Sequence, residues 1–241
     1  MVTSATLSNF QNAGSVKMVN LWNSDHAAAD EGSFFVATNP TVGTGIATTT
    51  SVVDDAATAS ATHAQYAPVM LITNNWPTTD TNNTRIYLKY LRMLCTAAPT
   101  SATLWNFSFR GDSRASRYIS GGSLIAPVNI NMDSGTASRA QIYFGAVLTN
   151  LPTAANGRLL SCGAVQGSIP VVKDQWMFTF GDQSMPTNVL HATGNKALTI
   201  PCGPMILGPG QSISLGMWGT SCAGAPAWEF ELGYVERPAG K

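Results

Sequence analysis

The side chains best suited to chemistry are few in this sequence, and they lie far apart. Its three histidines, His26, His63 and His191, each sit among Ala, Ser and Thr residues. A metal centre needs His, Cys or carboxylate partners at short fixed spacings, and a hydrolytic triad needs a nucleophile and an orienting acid. No partner stands at such a spacing, so the three read as unrelated loop or surface residues. The cysteines, Cys95, Cys162, Cys202 and Cys222, form no C-x-x-C pair and read as reduced, mostly buried thiols. Whether Cys202 and Cys222 approach each other stays open. The sequence contains no G-x-S-x-G elbow, H-E-x-x-H pair or phosphate-binding loop, and Gly43-Thr44-Gly45 reads as a turn. No catalytic, cofactor-binding or metal-binding residue is assigned; neither enzymatic activity nor a cofactor is expected.

The carboxylates give the same answer. Asp54-Asp55 and Asp30-Glu31 are sequence neighbours, which point to opposite sides of an extended chain and cannot act as an acid/base couple there. Glu229 and Glu231 share a face, as on the wet side or the protected edge of a sheet. Arg110-Gly111-Asp112 spells a tripeptide that integrins recognise. It is expected at a hairpin turn, because Gly-Asp is a turn-former and a three-residue match is weak. Arg114 and Arg117 belong to the same small basic cluster, read as solvated. Asn82-Asn83-Thr84 and Asn106-Phe107-Ser108 fit the glycosylation sequon, but no secretory signal is expected from residues 1–6.

The elements that would position these residues are strands. Trp228, Phe230, Leu232 and Tyr234 alternate with Glu229, Glu231 and Gly233, the period of a half-buried antiparallel strand. Ile213, Leu215 and Met217 repeat the pattern, as do Trp105, Phe107 and Phe109, and Trp176, Phe178 and Phe180. Further runs fall at 66–73, 124–132, 139–148, 158–165, 188–192 and 196–200, separated by Gly, Pro, Asn and Ser turns. Residues 84–97 fit either period: Ile86, Leu88, Tyr90 and Leu94 share a strand face, while Tyr87, Tyr90, Leu91 and Leu94 share a helical one. The β-branched and aromatic content favours the strand. Short strands at this spacing predict an all-β, antiparallel sandwich or barrel over residues 66–241. Residues 1–65 read as an irregular N-terminal arm with peripheral strands. A short helix is expected within 24–32, stopped by Gly32, and 54–65 is a helix or a loop.

Composition narrows the partners. Charged residues are 11% of the chain, against about 25% in an average soluble domain. The formal net charge is zero, which argues against a general nucleic-acid binder. No apolar run reaches the ~18 residues of a membrane span. A surface of small uncharged polar groups suits burial against other subunits.

Three strings carry a resemblance: NPTVGTGIA at 39–47, RIYLKYLRMLCTAA at 85–98, and GPGQ at 208–211 followed by WEFELGYVER at 228–237. They resemble virion structural proteins of tailed bacteriophages, and more narrowly the β-rich head decoration, or cement, proteins. The resemblance covers most of the chain from about residue 34, through turn-and-strand patterns and no catalytic signature. It implies a jelly-roll-like β-sandwich and a homotrimer or similar oligomer that binds the major capsid protein lattice on the outer surface of the virion after assembly in the host cytoplasm. Two other readings stay open: a tail-associated, glycan-binding sandwich that would stack sugars on Trp22, Trp76 or Trp218, and a main jelly-roll capsid subunit.

Overall fold

The structure is a computed structural model that describes residues 24–47, 68–79, 81–100, 105–113, 118–145, 149–150, 157–166, 170–181, 187–190, 195–219, 224 and 226–238. Among them lie one helix, α1 (Ser24–Asp30), and seventeen strands. In chain order these are β1 (Phe34–Thr38), β2 (Ile46–Ala47), β3 (Met70–Asn74), β4 (Arg85–Ala97), β5 (Trp105–Asp112), β6 (Tyr118–Ser120), β7 (Ser123–Ile125), β8 (Val128–Asn129) and β9 (Ala140–Phe144). Then follow β10 (Thr149–Asn150), β11 (Gly157–Gln166), β12 (Gln175–Phe180), β13 (Thr187–Leu190), β14 (Lys196–Cys202), β15 (Ile206–Leu207), β16 (Ser212–Gly219) and β17 (Ala227–Arg237).

Eight of these strands carry the fold: β1, β3, β4, β5, β11, β12, β16 and β17. The first pairs with the eighth, the second with the seventh, the third with the sixth and the fourth with the fifth, all antiparallel. This nesting is a long hairpin rolled up on itself, the jelly roll. Two further ladders, β17 on β4 and β16 on β5, close the roll into two sheets. One runs β13-β14-β12-β4-β17-β1-β8, with β15 also on β4 and β2 on β17; the other runs β11-β5-β16-β3-β9-β7. The expected all-β sandwich is therefore present. One ladder, β12 on β14, is parallel.

The core lies between the sheets and is largely aromatic. Phe144 stacks on Phe230 at 3.9 Å, Phe178 meets Phe107 and Phe109 edge-on at 5.0 and 5.2 Å, and Trp176 lies 4.6 Å from Trp228. All of these except Phe144 come from the alternating faces read in the sequence, and each large one that is fully buried stabilises by roughly 1.5–3 kcal/mol.

Strand β4 explains the double reading of 84–97. Ile86 and Leu88 are buried, then Leu91, Met93 and Cys95, so the inward face changes from even to odd positions. The register opposite β17 slips at this point: Tyr234 faces Leu88, and the next pair is Gly233 with Tyr90. Lys89 is the extra residue of a β-bulge, which shifts the phase of the side chains that follow. Tyr90 and Leu94 therefore do not share the face of Ile86 and Leu88, a correction to the sequence reading. Gly233 lacks a side chain where a Cβ would run into the Tyr90 ring.

Strand β1 comes from the segment read as arm and peripheral strands. It is inserted between β17 and β8, with Phe35 and Ala37 in the main core. Helix α1 falls where expected, and Gly32 ends it at φ 67°, a left-handed conformation that suits glycine. Ala28 packs with Phe34 and Val235 on the outer face of the β17 sheet. Of the expected arm, residues 1–23 and 48–65, including 54–65, lie outside the described residues.

Candidate interaction surface

Residues 124–132 leave the edge of one sheet and join the edge of the other. Strand β7 pairs with β9 and β8 with β1, and each ends its sheet. Between and beyond them the chain keeps a period of two, but with its polarity reversed. Leu124, Val128, Ile130 and Met132 are exposed at 60%, 66%, 44% and 97%, and Ala126 between them is exposed as well. Of the alternate positions, Ile125 is buried while Asn129 and Asn131 are half-buried.

The asparagines turn inward because they have backbone to satisfy. Asn129 Nδ2 donates to the Gly32 carbonyl at 2.8 Å, and its Oδ1 accepts from the Asn131 amide at 2.9 Å. Asn131 Nδ2 donates to the Asp30 carbonyl at 3.1 Å, and its Oδ1 accepts from the Asp133 amide at 3.0 Å. Both are Asx-type bonds that hold the backbone locally. They also tie this segment to the carboxyl end of α1. With the inward positions taken by amides, the aliphatic side chains form a fixed ridge in water. No charged residue occurs from Ser123 to Met132. The opposite edge of the sheet that β7 ends, β11, also exposes Leu159 and Leu160.

The charged groups nearby hold structure. Arg237 pairs with Glu31 at 2.7 Å and Lys89 with Asp25 at 2.8 Å. Glu231 accepts from the Tyr90 hydroxyl at 2.7 Å and also pairs with Arg92. Burial and then the bond to Glu231 push the Tyr90 phenol well above its ordinary range. Half-exposed pairs such as these contribute about 0–1 kcal/mol each; they fix α1 and the bulge in place.

Two buried polar residues have no place in the sequence reading. Glu236 is 8% exposed and accepts hydrogen bonds from Trp76 Nε1 (3.1 Å), Ser138 Oγ and the amides of Arg139 and Ala140. Ser138 also bonds the Tyr234 hydroxyl at 2.7 Å. Asn74 is fully buried and donates to the carbonyls of Thr84 (3.1 Å) and Leu207 (3.0 Å). The signal for both lies in phase: Glu236 continues the inward series of Trp228 to Tyr234, and Asn74 that of Met70 and Ile72.

Among the described residues, those singled out from sequence do not converge. His26 is exposed on α1, while His63, His191, Cys222, Asp54, Asp55, Arg114, Arg117 and Trp22 lie outside the described residues. Asp30 and Glu31 sit at the end of α1. Glu229 accepts from the Gly43 amide and fixes the turn at 41–44. Arg110-Gly111-Asp112 is not at a hairpin tip. It lies within β5, paired on both sides with β11 and β16, and Asp112 is buried; a central strand has no free edge with which to display it. Cys95 and Cys202 are buried and Cys162 is exposed, all three as free thiols. Burial, and then the Asp174 carboxylate, push the Cys95 thiol up to about 12. Trp76 is half-buried, with the Arg139 guanidinium 5.3 Å from its ring centre. Trp218 lies on β16. Among the described residues, no three His, Cys, Asp or Glu side chains are grouped to hold a metal.

The chain matches no protein-family model and no curated protein.

Proposed function

We propose that this chain is a structural subunit of a virus particle, of the kind that binds the outside of an assembled bacteriophage head and stabilises it. One observation carries the reading: the charge-free ridge from Leu124 to Met132 stands in water along an open edge of the jelly roll. Exposed apolar groups in a row mark a contact surface, and an uncharged row can meet a like row without charge repulsion. The occupant is a second copy of this chain, in an oligomer of the trimeric kind that the sequence resemblance implies. Such an oligomer multiplies weak contacts to a capsid lattice by avidity. A protein that binds only the assembled lattice stabilises that state by mass action.

The nested pairing of all eight strands favours a second reading, a subunit of the shell itself, because jelly rolls build viral capsids. The fold also serves lectins, so it does not decide alone. Expression of the chain by itself separates the two readings. A soluble small oligomer that co-sediments with preformed heads supports decoration, and closed particles in electron micrographs support the shell. A monomer that binds no head contradicts both.

A further inference from the structure

A second feature lies where β4 begins, beside the hydrogen bonds of Asn74. There the loop before β4, strand β15 and the turn at 208–211 enclose an open hollow of about 440 Å³, within the range of small-molecule sites. Thr78, Asn83, Arg85 and Gln211 supply its polar lining, and Ile206 and Pro209 its apolar one. All four polar side chains can donate hydrogen bonds, and among the described residues no carboxylate lines the hollow.

Arg85 is the cation here. Its cross-strand neighbour Arg237 is neutralised by Glu31, whereas Arg85 has no acidic partner among the described residues. The side chains of Thr78 and Asn83 likewise make no hydrogen bond among the described residues. Gln211 Oε1 accepts from the Gly208 amide at 2.7 Å, which fixes the side-chain amide and leaves its NH₂ to donate. The walls are held in place. Gly210 adopts φ 71° and donates to the Asn74 carbonyl at 3.0 Å, while the Gln211 amide closes the turn on Gly208 at 3.1 Å. The buried Asn74 amide bonds Thr84 on one wall and Leu207 on the other. The Gln211 amide, held in this way, needs little reordering on binding.

We infer that this hollow binds the carboxylate of an acidic sugar, with Arg85 as its anchor. A guanidinium matches a carboxylate in charge and in bidentate geometry. The amides of Asn83 and Gln211 suit the hydroxyl groups of a sugar, and Pro209 and Ile206 offer an apolar surface to the C–H face of its ring. The inference stands on this geometry alone and is independent of the virion reading.

The test is an NMR titration of the ¹⁵N-labelled chain with glucuronate, glucose and acetate in turn. Glucuronate should bind saturably, shifting the amides of residues 83–85 and 208–211. Glucose and acetate should each bind at least about tenfold more weakly. Arg85→Ala should weaken glucuronate by about tenfold or more, the scale of a lost charge-assisted bond, with an unchanged melting temperature. If that variant fails to fold, Gln211→Ala reads the same site. Absence of saturable binding, glucose or acetate as strong as glucuronate, or full affinity in the folded variants would overturn the inference.

Discussion

Strand β17 and the segment 124–132 have the same sequence rhythm and opposite fates. Both place apolar side chains at every second position. In β17 the apolar set, Trp228, Phe230, Leu232 and Tyr234, is buried, and Glu229 and Glu231 face outward. In 124–132 the apolar set is outside, and Asn129 and Asn131 point in. The difference lies in the neighbours. Strand β17 has β4 on one side and β1 on the other, with the opposite sheet beneath it. Strands β7 and β8 are the last of their sheets, and the inward residues Asn129 and Asn131, on and after β8, hydrogen-bond the backbone at the end of α1. A period of two therefore gives the spacing of the faces; position in the sheet decides which face becomes core and which remains exposed.

Substitutions sharpen this contrast. Phe230→Ala removes the ring stacked on Phe144 and should cost about 3–5 kcal/mol in urea unfolding; a loss under ~1 kcal/mol would mean that this face is not core. Glu236→Ala should cost about 2–3 kcal/mol, because Trp76 Nε1 and two amides lose their acceptor in a buried place. Glu236→Gln, which keeps one carbonyl oxygen, should cost less, and an equal loss from both would show that charge rather than hydrogen bonding matters. A pH effect comes next. The Cys95 thiol ionises near 9.0 when free and only near 12 in the fold. The protonated fold is thus fully favoured below pH 9, and that stability is lost as pH rises towards 12. Urea midpoints at pH 8 and pH 10.5 should separate more in the native chain than in Cys95→Ala. Smallest of all, Val128→Ser and Met132→Ser should each change the stability of an isolated subunit by no more than about 0.5 kcal/mol, since both side chains already stand in water.

Much of the fold was legible. The strands at 105–112, 175–180, 212–219 and 227–237 follow from aromatic and aliphatic alternation, and α1 from its glycine stop. Nesting of first strand with last was not legible, because it depends on pairing between positions some two hundred residues apart. The bulge at Lys89 hid the phase of β4, since one inserted residue makes a strand mimic a helix. Strand β1 looked peripheral because it is short and stands alone in a region of small residues. The ridge was visible as a strand run, and its exposure was not, because nothing local says that a strand will be an edge. Glu236 and Asn74 were within reach: a polar residue in the core phase at a strand end is a sign of a buried hydrogen-bond centre.

Sedimentation velocity tests most directly whether the ridge is a contact between copies. The native chain should sediment as an oligomer at micromolar concentration. A Val128→Asp, Met132→Asp variant should sediment as a monomer with an unchanged melting temperature, because two carboxylates cannot be buried unpaired at low cost. An identical sedimentation coefficient for the two proteins, whether monomer or oligomer, would contradict it.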